Sequence, residues 1–191
     1  MLELFRDDAV LWRGVIRGEQ EAFRQLYEAY ADLLYAHGLR YMSDAATVKD
    51  CIHDLFIDLH TYHASLAPEV NIRFYLLRSF RRKLHAAANK ASGNIDLAAN
   101  FQLTFTDDIE KMLIRGEQER ETVQLLVRKL NELPARQKEL IYLKFHCDLE
   151  YEEIAVLMGI STATCRTLSY RAIKQLREEM AGAPLSLLSL F

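Results

Sequence analysis

The chain has 191 residues, half of them hydrophobic, and a formal net charge of −3. That length holds one ordinary domain or two small ones with real cores, and the mild acidity argues against a nonspecific nucleic-acid coat. With only 3 prolines, 7 glycines and apolar residues recurring every three or four positions, a sheet protein is disfavoured and an all-α chain expected.

The N-terminus, MLELFRDD, is acidic without an uninterrupted apolar core, so no signal peptide is expected. No apolar run approaches the roughly 20 residues of a membrane span, and no membrane insertion is expected. The 3 cysteines, Cys51, Cys147 and Cys165, form no CxxC pair and read as free thiols of a reducing cytoplasm. A first helix carries Leu11, Trp12, Val15 and Ile16 and stops at Gly18. A second, from about Glu19 to near Met42, places Phe23, Leu26, Tyr27, Tyr30, Leu33 and Leu34 on one stripe. Ser43 or Asp44 caps a third, with Val48, Cys51, Ile52, Leu55, Phe56 and Leu59.

After a loop containing Pro68, Asn71 is a candidate cap for a fourth helix running to about Ala88. There Arg78, Arg81, Arg82 and His85 fall at i, i+3, i+4 and i+7, one face of a helix, and no acid occurs between Val70 and Ile95. Cations with Phe74 and Tyr75 nearby suit single-stranded or opened DNA. A solvated charged helix with core aromatics fits the same residues equally well.

From Asn89 to about Thr106 the period dissolves and a flexible linker is expected. Acids follow at Asp107, Asp108, Glu110, Glu117, Glu119 and Glu121, and a helix resumes through Val123, Leu126, Val127 and Leu130. The division expected is 1–88, a linker 89–108, a second helical domain 109–181 and an apolar tail 182–191.

Within that second domain a helix-turn-helix is the firmest expectation. Ile154, Leu157 and Met158 give its first helix an inner face, and Glu152 and Glu153 suit the positive end of the helix dipole. Gly159 makes the turn and Ser161 caps the next helix. That helix should bury Cys165, Leu168, Ala172 and Leu176. It should present Thr162, Ala163, Arg166, Thr167, Tyr170, Arg171 and Lys174, with no acid between Ile154 and Arg177. Small residues first and cations further along suit a major groove, where backbone nears base edges and cations meet phosphates. Capping, turn and one-sided charge together favour this over a helical hairpin with a solvated basic face.

His60 and His63 with His53 lack a further ligand at metal-binding spacing, so no metal or cofactor is expected. Asp107 and Asp108 read as solvated neighbours in a loop. No Walker loop, nucleophile elbow or HExxH helix occurs, and enzyme activity is not expected.

The stretches Gly18–Tyr27, Asp50–Phe56, Phe74–Leu84 and Leu130–Ser161, taken together, resemble the extracytoplasmic-function (ECF) sigma factors of the bacterial sigma-70 family. Gly18-Glu-Gln-Glu-Ala-Phe-Arg-Gln-Leu-Tyr27 is similar to the family's opening. Asp50-Cys-Ile-His-Asp-Leu-Phe56 resembles its polymerase-gripping signature, and Phe74-Tyr-Leu-Leu-Arg-Ser-Phe-Arg-Arg-Lys-Leu84 its promoter-melting helix. Leu130-Asn-Glu-Leu-Pro-Ala-Arg-Gln-Lys-Glu-Leu-Ile141, Tyr151-Glu-Glu-Ile-Ala155 and Gly159-Ile-Ser161 match the start of its second conserved domain. The resemblance runs from about Gly18 to Arg177.

It implies a region-two domain that binds core RNA polymerase and opens the minus-ten element, and a region-four domain that reads the minus-thirty-five element and rests on the β flap. Carried over by position, Asp50, His53, Asp54 and Asp58 would face the β′ clamp helices while Phe56 packs inward. The loop 64–71, Asn71 above all, would hold a flipped base, with Arg78, Arg81 and Arg82 on nearby phosphates. Ser161, Thr162, Ala163, Thr164, Arg166, Thr167 and Arg171 would meet the minus-thirty-five duplex. The linker would thread toward the RNA exit path, its acids resembling the transcript's charge.

Departures are visible. His53 and Asp54 stand where a glutamine and a glutamate are usual, which implies a different clamp affinity. Leu168 and Tyr170 replace a frequent arginine and histidine, so base preference does not carry over. Glu150 replaces a usual serine cap, which implies a helix start weaker by ~0.5–2 kcal/mol. The apolar tail lies outside the pattern and would cap a core or dock a partner such as an anti-sigma protein. Two rivals share the helix-turn-helix: a regulator with an N-terminal sensing or dimerisation domain, and an interaction protein that has lost promoter melting. The promoter, the regulon and the inducing signal are not legible in the sequence.

Overall fold

The computed structural model describes residues 2–92, 101–103 and 117–180. Among them are eight α-helices and no strand, and no helix is long and apolar enough to cross a membrane. The chain divides into two compact units, Met1–Asn100 and Phe101–Phe191. The tail 182–191 and linker positions 93–100 and 104–116, Asp107 and Asp108 included, lie outside the described residues.

The first unit holds α1 (Leu2–Ile16), α2 (Gln20–Leu39), α3 (Ala45–Tyr62), a 3-10 turn His63–Ser65, and α4 (Ile72–Ser92). Its core takes every third or fourth residue: Ala22, Leu26, Tyr30 and Leu34 from α2, Val48, Cys51, Ile52, Leu55 and Leu59 from α3, and Leu76, Leu77, Phe80 and Leu84 from α4. The α2 stripe is narrower than its apolar residues suggest, for Tyr27 is 48% exposed. Phe56 is also corrected, being half-buried with its ring edge-on to Tyr27 at 4.9 Å. At 3.6 residues per turn Phe56 falls about 100° round the helix from Leu55 and about 60° from Leu59, at the margin of their inward face.

Chain entries and exits have local causes. Gly18 turns out of α1 at φ 78, where an L side chain is strained. Asp44, not Ser43, caps α3, its carboxylate accepting from Ala46 N at 3.0 Å and Thr47 Oγ1 at 2.6 Å. These bonds favour the anion and hold the Asp44 carboxyl below the usual aspartate range. Asn71 caps α4, its Oδ1 accepting from Phe74 N at 3.1 Å. Helix α4 continues past the expected end, to Ser92, since Ala88 still finds burial.

The second unit holds α5 (Glu117–Glu132), α6 (Ala135–Ile141), a π-turn Tyr142–His146, α7 (Tyr151–Met158) and α8 (Thr162–Glu179). Helices α5, α6 and α7 each pack on α8. Phe101 and Leu103, expected in the linker, are buried in this unit, with the Phe101 ring 6.4 Å from Tyr142. Glu139 is fully buried at 3.3 Å from Arg136, whose guanidinium also donates to the Met158 carbonyl at 3.4 Å. That pair ties α6 to the end of α7.

Candidate nucleic-acid interface

The turn between α7 and α8 fixes the clearest exposed cationic surface. Gly159 sits at φ 64, ψ 36, and Ile160 N–H reaches back to the Ala155 carbonyl at 3.0 Å. A β-carbon at Gly159 would meet open space, so backbone conformation rather than crowding selects glycine. Ser161 Oγ then accepts from Thr164 N at 3.1 Å and starts α8. At the other end of α7 the expected loss of a cap is offset. Glu153 accepts from Glu150 N–H at 2.9 Å, and Lys144 lies 3.3 Å from Glu150.

Helix α8 buries Cys165, Ser169, Ala172 and Leu176. Leu168, expected inside, is half-buried; Ser169 takes that place because its Oγ meets Tyr151 Oη at 2.9 Å. The opposite side exposes Ser161, Ala163, Thr164, Arg166, Thr167, Tyr170, Arg171 and Lys174, with Thr162 half-buried. Thr167 Oγ1 donates to the Ala163 carbonyl at 2.9 Å, and Thr164 Oγ1 lies 2.8 Å from Ser161 Oγ. Arg166 reaches Glu152 at 3.1 Å and Lys174 nears Glu178 at 3.7 Å, whereas Arg171 has no ion pair among the described residues.

Helix α4 carries the second cationic surface, but its arginines are not equivalent. Arg78 and Arg82 are exposed, and Arg82 donates to Ser79 Oγ at 3.3 Å. Arg81 is half-buried: it donates to Tyr41 Oη at 3.0 Å and stacks 4.9 Å over that ring. His85 is exposed beside Asn89, at 3.0 Å. The loop 64–71 is tied down from α1, where Trp12 Nε1–H donates to the Ala67 carbonyl at 2.9 Å and packs edge-on to Tyr75 at 5.2 Å. Beside that loop a groove between α3 and α4 is lined by Tyr62, Leu66, Tyr75, Ser79 and Arg82. Sequence reasoning missed Tyr62 and Ser79. An aromatic just past the last core position of α3 was the signal for Tyr62.

On α3, Asp50, His53 and Asp54 are exposed. Asp58 is exposed too but pairs with Lys83 at 2.6 Å. Next to them Tyr27, Phe56 and the 48%-exposed Ile57 leave apolar surface uncovered. His63 Nδ1–H donates to the Ile16 carbonyl at 2.8 Å and so ties the end of α1 to the 3-10 turn.

Comparison with known proteins agrees with this geometry. Residues 124–176 match the family model for sigma-70, region 4. Over 80 residues the chain is 38% identical to RNA polymerase sigma factor SigV of Bacillus subtilis, which covers 42% of this chain and 48% of that one. Over 168 residues it is 26% identical to ECF RNA polymerase sigma factor BldN of Streptomyces coelicolor, covering 83% of this chain and 60% of the relative. The chain thus spans about half to three-fifths of the length of these relatives. Among solved structures, CnrH in complex with the cytosolic domain of CnrY has the same fold, with a TM-score of 0.53 at 19% identity over 90% of this chain and 95% of that one.

Proposed function

We propose that this chain, which belongs to the ECF group of the sigma-70 family, binds core RNA polymerase, directs it to specific promoters and helps open their DNA. The observation that carries the reading is the coincidence of two features on one unit. The segment similar to sigma region four is the one whose α8 exposes a cationic, small-residue face behind a glycine turn. In this reading α8 enters the major groove of the minus-thirty-five element. Thr162, Ala163 and Arg166 meet base edges, while Arg171 and Lys174 neutralise phosphates.

The first unit grips polymerase and melts the minus-ten element. Asp50, His53 and Asp54 face the β′ clamp helices, with Tyr27, Phe56 and Ile57 as apolar neighbours. Asp58 contributes through its pair with Lys83. Asn71 and the loop 64–71 hold a displaced base, and Arg78, Arg82 and Arg81 follow the backbone. The domain limits are those read from the sequence, except that α4 carries the first domain to residue 92 and that Phe101 and Leu103 go with the second. Region four rests on the β flap. Such a factor is a non-enzymatic initiation subunit and works in the cytoplasm, where polymerase is. An anti-sigma protein or other regulatory partner completes the scheme. The neighbour CnrH was itself captured with the cytosolic domain of CnrY.

A regulator with an N-terminal sensor is not favoured, because the similarity to BldN spans 83% of the chain and so includes the first unit. Run-off transcription tests the proposal. Purified chain should be retained by core polymerase and should confer initiation at a defined start site. Failure of both retention and promoter specificity refutes it.

A further inference from the structure

Arg166 protrudes from α8 with 64% of its side chain exposed, yet it is held from two sides. Its Nη2 lies 3.1 Å from Glu152 Oε1, in the first turn of α7, and its guanidinium carbon stands 5.9 Å from the centroid of the Tyr151 ring. Tyr151 is fixed in turn, for its hydroxyl shares a 2.9 Å hydrogen bond with Ser169, which is 1% exposed on the inner face of α8. Lys144 approaches the same ring at 5.3 Å. A chain of contacts therefore runs from a buried hydroxyl of α8, through Tyr151, to an exposed arginine of the same helix, and Glu152 closes it.

An ion pair this exposed contributes little to folding, so stability does not account for the bracket. A phosphate neutraliser gains nothing from it either. A carboxylate 3.1 Å away offsets the guanidinium's positive charge and repels the DNA backbone. What the bracket does is fix a long, rotamer-rich fork before binding, so less freedom is lost on complex formation. One N–H is committed to Glu152, and the remaining donors keep the planar geometry that pairs with guanine O6 and N7. Arg171, further along α8, has no such bracket among the described residues.

Resting on the function proposed above, we infer that Arg166 is a guanine reader held in register by Glu152 and Tyr151, and that Glu152 is a specificity-determining residue although it donates nothing to DNA. Glu152 is thus a positioning residue, and its removal should change which sequences are chosen more than how tightly DNA is held.

The test uses the full chain with core polymerase and a pool of duplexes randomised across the upstream element, selected and sequenced. Wild type should select guanine at a position where Arg166→Ala selects nothing. Glu152→Ala and Glu152→Gln should weaken that same preference by roughly 10-fold, within the discrimination of one bidentate contact. Their affinity for unselected duplex should stay level or rise, with the salt slope unchanged. Tyr151→Phe, which keeps the ring and loses the Ser169 bond, should give a smaller loss at the same position. The inference is overturned if Glu152→Ala raises affinity for all sequences alike and leaves the preference profile intact. It is also overturned if Arg166→Ala lowers affinity uniformly and flattens the salt dependence, the signature of a phosphate contact. A wild-type chain that binds core yet selects no upstream sequence refutes the parent reading of α8 instead.

Discussion

At Gly38 a β-carbon would stand 2.6 Å from Val48 Cγ1 and 2.9 Å from the Phe80 ring, both residues fully buried. Alanine in a helix interior normally gains ~1 kcal/mol over glycine. Overpacking a tight core costs ~1–3 kcal/mol, and neither neighbour has solvent to retreat into. The second effect wins, so Gly38→Ala should lower the stability of the first unit by about 1–2 kcal/mol. Trp12, buried in that unit and the only tryptophan, gives the fluorescence signal for urea unfolding. An unchanged midpoint would show that α2 and α3 can part by a few tenths of an ångström. Asn71 offers a cleaner separation of fold from function, because its Oδ1 caps α4 at 3.1 Å. Asn71→Asp keeps an accepting oxygen at the helix start, whereas Asn71→Ala should cost ~1 kcal/mol of stability. If Asn71 also holds a displaced base through its amide, the aspartate variant should unfold like wild type yet open promoters poorly. Normal permanganate reactivity in Asn71→Asp would leave this side chain with capping alone.

Helix α4 shows how a face read from spacing becomes unequal in three dimensions. Arg78, Arg81 and Arg82 recur at helical spacing, but Arg81 turns onto Tyr41 while Arg78 stays in solvent without an ion pair among the described residues. Arg78→Ala should therefore reduce promoter opening with thermal stability and core retention intact. Arg81→Ala should lower stability by ~0.5–2 kcal/mol, through the lost hydrogen bond and cation–π contact. Calorimetry beside a permanganate footprint checks both; equal melting points for the two variants would sink the distinction. The same contrast marks what the sequence revealed. Helix positions, the caps at Asn71 and Ser161 and the turn at Gly159 are local, set by residues within a few positions, and were legible. The pairing of Glu150 N–H with Glu153 is local too, but its acceptor stands three residues beyond the cap position, inside the helix. The Ser169–Tyr151 bond, the Arg81–Tyr41 stack and the Lys83–Asp58 pair join residues 18 to 40 apart or lie between different helices. No periodicity announces such partners. Burial of Ser169 in place of Leu168 follows from one of them.

Across the whole molecule, a formal charge of −3 coexists with two cationic surfaces, α4 on one unit and α8 on the other. A chain with a single DNA-reading unit would tolerate any sequence at any distance beyond its site. A chain whose two units are both fixed on core polymerase would not, because each must meet its element on the correct side of the duplex. B-DNA turns once in about 10–10.5 base pairs, so inserting ~5 base pairs between the two promoter elements rotates the upstream major groove to the far side of α8. Such an insertion should cut initiation by at least ~10-fold, the equivalent of losing roughly 1.4 kcal/mol of upstream contact. Inserting ~10 base pairs restores the rotation but adds ~34 Å of axial distance, so recovery should be small if the β flap holds region four in place. The measurement is run-off transcription from a spacing series with wild-type chain and core polymerase. Equal output at every spacing would mean that only one unit engages the promoter: a start site that stays with the downstream element would leave the face of α8 a solvated surface, and one that moves with the upstream element would leave that of α4 so.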